Sequence, residues 1–288
     1  IVAQRNDAIL LAVEFLRDGK IVAVKGIGGF HLMVDGTNEA AVQTLRKRKR
    51  REEKPFAMMV PSLEKAKQIC FVSELEERLL SSPESPIVLL RKGDANSIIA
   101  PSVAPRNPSL GVMVPYSPLH HILLHELGIP VVATSGNISD EPICIDEYEA
   151  LQRLNGIADF FLVHNRKIVR HADDSIVRVM LGRELVLRRA RGYAPFPISL
   201  SKEVLNPILA VGGHLKNTVA LALQSNVFIS QHIGDLETAQ SYEAFQRVIE
   251  DFTTMYDTRP ARIACDLHPE YMSTKYAHST SLPVIEVQ

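Results

Sequence analysis

At 288 residues and 46% apolar, with a formal net charge of −1, the chain is long enough for a full core and for two domains, and too neutral overall to be dedicated to nucleic acid. Its three cysteines, Cys70, Cys144 and Cys265, lie far apart without a CxxC pair, which fits a reducing compartment and excludes a cysteine zinc finger within this stretch. No apolar run reaches membrane-spanning length and the start shows no secretion signal, so a cytoplasmic protein with no membrane partner is expected.

Residues 7–18 repeat apolar side chains at helical spacing, from a capping Asp7 to a stop at Gly19. Residues 20–25 read as a buried strand that enters the loop Gly26-Ile-Gly-Gly-Phe-His31. A second helix is predicted over 38–50, a strand over 55–60 and two short helices within 63–80. Strands follow at 86–91, around 112–114 and at 130–134, with a helix at 118–126 before the last. The pattern continues with a helix over 146–154, a strand at 159–163 and β-rich segments at 175–180 and 184–188. This mixed order predicts a twisted α/β sheet covered by helices.

Pro195-Phe-Pro197 then interrupts regular structure on the way to Asn206-Pro207, and the domain boundary is placed there, giving domains 1–197 and 198–288. The second stretch reads as strands 208–212, 217–223 and 226–230, helix 238–256, strand 262–266, helix 270–279 and strand 283–287. That order is the one of the ribonuclease-H-like core of actin-like ATPases, with the turn Gly212-Gly213-His214 offering backbone N–H groups to a phosphate. An actin-like ATP site needs two such lobes, so this stretch is expected to be the first lobe of a longer protein.

Two features point to an anionic ligand. The corner Ala133-Thr-Ser-Gly-Asn-Ile-Ser139, following the apolar run 129–133, packs hydroxyl, amide and glycine groups into a strand end that suits a phosphate or carboxylate, although the same residues also make plain turns. Upstream, Arg46-Lys-Arg-Lys-Arg-Arg51 with Lys54 concentrates positive charge. It reads either as a solvated helix face, as a nucleic-acid patch, or as two or three ligand-facing cations. Gly26-Ile-Gly-Gly29 lacks the following helix of a dinucleotide fingerprint and reads as a close backbone approach. His121 and His125 have the i,i+4 spacing of a metal pair without a basic glutamate between them, and the structural reading is preferred. His171-Ala-Asp-Asp-Ser175 offers carboxylates to Mg²⁺ or forms a turn.

Lys49-Arg-Arg51 before Lys54-Pro55, Ser135-Gly-Asn137 with Ser139, and Leu187-Arg-Arg-Ala-Arg-Gly192 resemble the KxR, SxN and arginine–glycine motifs of YrdC-like domains. More narrowly, Lys25-Gly-Ile-Gly-Gly-Phe-His31, Pro115-Tyr-Ser-Pro-Leu-His120, His171-Ala-Asp-Asp-Ser175 and Arg189-Ala-Arg-Gly-Tyr-Ala-Pro195 resemble the HypF family of hydrogenase maturation carbamoyltransferases. Val211-Gly-Gly-His-Leu-Lys-Asn-Thr218, Gln231-His-Ile-Gly-Asp-Leu-Glu237 and Asp266-Leu-His-Pro-Glu-Tyr271 resemble that family's TsaD-like transfer domain.

The resemblance implies a YrdC-like domain that joins carbamate, released from carbamoyl phosphate, to ATP as carbamoyl-adenylate, and a transfer domain that passes the carbamoyl group to the C-terminal cysteine of HypE. It implies Lys49, Arg51, Ser135 and Asn137 as catalytic groups. Lys25, His31, Lys54, Thr134, Ser139, Asp173, Arg188 and Arg191 are implied around ATP and Mg²⁺, and Gly212, Gly213, Lys216 and Asp235 along a half-site in the second domain. Arg48 and Arg50 compete with Lys49 and Arg51 in the alternative register. The family's acylphosphatase domain, zinc fingers and transfer-domain metal site are expected only in the full-length protein. The alternatives are a threonylcarbamoyl-AMP synthase of tRNA modification and a double-stranded-RNA-binding module, the latter implying RNA as a possible partner.

Overall fold

Strands buried on both faces and helices with one apolar stripe dictate a layered α/β architecture. The computed structural model describes residues 1–93, 98–138 and 141–288. The chain divides into two compact units, one of residues 1–139 and 143–188, the other of residues 140–142 and 189–288.

The first unit contains α1 (Asn6–Arg17), β1 (Val22–Lys25), β2 (Phe30–Asp35), α2 (Glu39–Lys49), β3 (Ala57–Met59), α3 (Leu63–Ile69), β4 (Cys70–Phe71) and α4 (Glu74–Leu80). It continues with β5 (Ile87–Lys92), β6 (Ser109–Met113), α5 (Pro118–Leu127), β7 (Val131–Ser135), α6 (Glu147–Arg153), β8 (Phe160–Leu162), β9 (Ile176–Met180) and β10 (Arg183–Arg188). Among the described residues its strands form one mixed sheet in the order β10-β9-β5-β6-β3-β7-β2-β1-β8, with β4 attached to β5. Parallel pairs (β1 with β8, β3 with β6, β5 with β9) are interspersed among antiparallel ones, with β3-β7-β2-β1 antiparallel throughout.

Strands β1 and β2 are buried at every residue, as central strands covered on both sides must be. Val22, Val24, Met33, Met59, Val131 and Ala133 meet Ala12, Val13 and Leu16 of α1 and Leu123, Leu124 and Leu127 of α5 in one core. His31 and Ser135 stand two residues from Met33 and Ala133, so the period of two puts them on the face that α1 and α5 cover. Thr134 takes the other face.

Four expectations need correction. Helix α1 has Arg5 rather than Asp7 at its N-cap position, and no side chain caps it. Strand β2 starts inside the stretch 26–31 read as loop and runs on through residues given no element, because a strand buried on both faces shows little alternation. In the second unit the three expected strands 208–212, 217–223 and 226–230 are two, β11 (Pro197–Ala210) and β12 (Ala220–Ile229). Strand β11 also starts at Pro197, within the stretch taken to interrupt regular structure, and carries Pro207 beside a register shift between Val204 and Ile208, one of the places where a strand tolerates proline.

The second unit adds α7 (Ala239–Met255), β13 (Arg262–Asp266), α8 (Met272–Ser279) and β14 (Val284–Val287), with sheet order β12-β11-β13-β14. The β11–β12 pair is antiparallel, and β13 runs parallel to both β11 and β14. Thr238 opens α7 with a reciprocal cap to Ser241, and Phe245, Val248, Ile249 and Phe252 turn its apolar stripe onto Leu209, Val211, Leu221 and Ile263.

Candidate functional site

Helix α2 starts at Asn38, whose side chain accepts from Ala41 N–H, and ends where Arg50 adopts a left-handed conformation at φ 51°. That reversal sends Lys49 and Arg51 toward the end of β7. Lys49, 6% exposed, donates to Ser135 O at 2.7 Å, Asn137 O at 2.8 Å and Asn137 Oδ1 at 2.7 Å. An ammonium has three hydrogens, and here each has an acceptor, as a buried charge requires. Ser135 Oγ donates to Asn137 Oδ1 at 2.8 Å, closing the corner on itself.

Arg51 donates to Lys54 O at 3.0 Å and Thr134 Oγ1 at 3.4 Å, and its guanidinium lies 4.9 Å from the Phe56 ring centre. The rest of the basic run is placed differently. Arg46 donates to the carbonyls of Arg51, Ser102 and Val103, and Arg48 pairs with Asp159 at 2.7 Å. Lys47 and Arg50 are exposed. Of the two registers, the geometry therefore turns Lys49 and Arg51, not Arg48 and Arg50, to the corner.

Cations crowd this end of the sheet. Burial and the neighbouring Arg51 pull the Lys49 ammonium down to about 7, with Lys54 acting in the same direction and Asp173 opposing it. Burial, then Arg46 and Arg188, lower Arg51 to about 10. Arg188 in turn donates to Asp173 at 3.1 Å. The predicted residues Lys49, Arg51, Lys54, Thr134, Ser135, Asn137, Asp173 and Arg188 thus belong to one electrostatic neighbourhood. Ser139 lies outside the described residues.

A second cluster borders it. In the β2–β7 register His31 stands opposite Ser135. His31 Nε2 lies 2.9 Å from Asp174 Oδ2, and the ring packs 5.7 Å from His120, against which Tyr116 stands edge-on at 4.7 Å. The adjacent aspartates 173 and 174 therefore serve different partners. Lys25, 2% exposed, gives its ammonium to Glu147 at 2.7 Å and to His164 O at 3.3 Å. Sequence reasoning assigned no partner to His31 or Lys25, since the contacts span more than a hundred residues. The Tyr116 position was visible only as part of a motif.

Glycines let the loops close around these groups. A Cβ on Gly28 would meet Ala172 O at 2.3 Å, and one on Gly136 would meet Phe30 O at 2.8 Å. In the second unit Gly212, at φ +65°, packs against Thr218 O, while a Cβ on Gly213 would meet nothing within 4 Å. Lys216 N–H donates to Asp235 Oδ1 at 2.5 Å, and the buried Asn217 donates to the carbonyls of Val211 and Gly213. Gly212, Gly213, Lys216 and Asp235 thus share one end of that unit, and Arg191 belongs to the same unit. Asn217, which sequence reasoning did not single out, ties the turn. Among the described residues no three metal-ligating side chains gather, and no helix is long and apolar enough to cross a membrane.

Residues 14–190 match the Sua5–YciO–YrdC family, described as telomere recombination, and residues 203–288 match the HypF Kae1-like domain. The whole chain is 49% identical to carbamoyltransferase HypF of Synechocystis sp., of which it spans 37%. A crystal structure of full-length HypF in the phosphate- and nucleotide-bound form superposes on 98% of this chain and 44% of its own, with a TM-score of 0.94 at 49% identity. Over 156 residues, 51% of this chain and 80% of the relative, the identity to threonylcarbamoyl-AMP synthase of Escherichia coli is 28%.

Proposed function

Because the chain belongs to the carbamoyltransferase HypF family, we propose that its first unit activates carbamate with ATP, forming carbamoyl-adenylate and pyrophosphate, and that its second unit takes part in passing the carbamoyl group to the C-terminal cysteine of HypE. The observation that carries this reading is the meeting of Lys49 with Ser135 and Asn137, and of Arg51 with Thr134, at the end of β7, beside Lys54 and Arg188.

A carbamate oxygen attacks the α-phosphorus of ATP in line with the bond to the β-phosphate, which breaks, and pyrophosphate leaves with the bonding pair. No covalent nucleophile is needed, so catalysis is positioning and charge neutralisation. Arg51, Lys54 and Arg188 supply cations for the triphosphate and the leaving pyrophosphate. Lys49 acts differently. With its three hydrogens on the corner, it fixes the Ser135–Asn137 geometry that faces the reacting oxygens. Mg²⁺ bound to the triphosphate would neutralise its oxygens, with Asp173, which pairs with Arg188 at 3.1 Å, the nearby carboxylate that would face it.

Threonylcarbamoyl-AMP synthesis shares this adenylation, and the second unit, matched to the HypF Kae1-like domain, favours the carbamoyl reading. Binding of double-stranded RNA is the weaker alternative, since Arg46, Arg48, Lys49 and Arg51 turn to acceptors inside the first unit. The deciding assay is carbamate-dependent exchange of labelled pyrophosphate into ATP. Ser135→Ala and Asn137→Ala should each depress it roughly 10²-fold, because each removes a preorganised contact to developing charge. Exchange left at the wild-type level by both substitutions would overturn the assignment.

A further inference from the structure

His31 is 4% exposed, and its Nδ1 is buried without a hydrogen-bond partner. The ring's other nitrogen lies 2.9 Å from Asp174 Oδ2. A carboxylate only accepts, so Nε2 carries the hydrogen, and in the neutral imidazole Nδ1 keeps its lone pair. In that neutral ring, the hydrogen bond to Asp174 leaves Nδ1 as the acceptor. A buried acceptor left unpaired is uncommon and invites an explanation.

The nitrogen faces the glycine loop. A Cβ on Gly26 would sit 3.6 Å from His31 Nδ1 and 3.7 Å from His120 Cε1, so the absence of a side chain at position 26 keeps the ground before Nδ1 clear. His31 is also the cross-strand partner of Ser135, and directly opposed side chains leave the sheet side by side. The acceptor therefore borders the corner that Lys49 fixes, walled by the His120 ring and by Tyr116 behind it.

We propose that His31 Nδ1 receives an N–H of the carbamate amino group, orienting the planar substrate with its carboxylate toward the Ser135–Asn137 corner. This deepens, and rests on, the adenylation reading. The amino nitrogen of carbamate is conjugated with its carboxylate and acts as a donor only. Acetate has nearly the same shape but carries a methyl group there, which would leave Nδ1 unpaired. A site built around a substrate N–H rejects the analogue lacking it. His31 is thus a specificity determinant, and Asp174 a positioning residue that sets its tautomer.

The test uses the whole chain with ¹⁵N-labelled histidine, at constant pH and in the presence of a non-hydrolysable ATP analogue. Ammonium carbamate should move the His31 Nδ1 resonance, whereas sodium acetate and ammonium chloride should not. In parallel, His31→Leu should raise the KM for carbamate in pyrophosphate exchange roughly tenfold or more, while His31→Asn, which keeps an acceptor near the Nδ1 position, should stay within about threefold of wild type. No movement with carbamate, or equal movement with acetate, overturns the proposal. Wild-type exchange without the resonance shift would sink the His31 contact and leave the adenylation reading standing. A carbamate-specific shift without any exchange would do the reverse.

Discussion

Lys49 shows how one side chain holds a site together at a cost. Burial works against its charge, and three acceptors at the corner are what hold an ammonium there. With the native amine depressed from 10.5 to about 7, the folded chain releases this proton near neutrality, whereas the unfolded chain keeps it to about 10.5. Between those values the unfolded state binds more protons, so the contribution of Lys49 to stability is lowest below pH 7 and rises with pH. The slope attributable to it is at most about 1.4 kcal/mol per pH unit. Urea unfolding at several values between pH 6.5 and 9.5 should show this rise in the wild type and its loss in Lys49→Met. Equal slopes in the two proteins would mean that the amine titrates as an ordinary lysine.

At the scale of elements, the site depends on how the ends of β2 and β7 are tied. Gly136 N–H donates to Phe30 O at 2.6 Å, Cys144 N–H to Gly136 O at 2.9 Å, and Phe30 N–H to Cys144 O at 2.9 Å. A methyl group on Gly136 would lie 2.7 Å from Phe30 Cβ and 2.8 Å from its carbonyl oxygen, so the strand end would have to move. Gly136→Ala should cost about 1–3 kcal/mol in unfolding free energy and lower pyrophosphate exchange with it. Gly213→Ala, where a Cβ meets nothing within 4 Å, is the control and should leave stability unchanged. Helix α2 was legible because Asn38 caps it and an apolar stripe follows. The strand β2 was not, since nothing in Phe30-His-Leu-Met-Val-Asp35 alternates. In β12, Gln224 takes a positive φ of 51° within a strand that continues past it, and a sequence reader splits the strand there. The corner and its two cations were readable as residue types, but their geometry was not, because it depends on the left-handed Arg50 and on contacts across more than eighty residues.

For the molecule as a whole, two units with separate sheets raise the question of how many nucleotides one chain holds. The first unit supplies cations, hydroxyls and a buried acceptor within a single sheet. The second presents the Gly212–Gly213 turn with Lys216 and Asp235 at one end of a four-stranded sheet. In the ribonuclease-H-like ATPases a nucleotide is gripped between two lobes, and we expect the single four-stranded sheet of the second unit to hold one only weakly. Calorimetric titration of the whole chain with Mg-ATP should therefore give about one tight site. Arg51→Glu should weaken it by about 1–3 kcal/mol or more, through loss of a charge-assisted contact and gain of a repulsive one. Asp235→Asn should leave it unchanged, and so should Arg48→Glu if the protein stays folded, since Arg48 faces Asp159 rather than the corner. Two tight sites, or one that follows Asp235 instead of Arg51, would move ATP binding to the second unit and leave the cationic corner of the first without its assigned ligand.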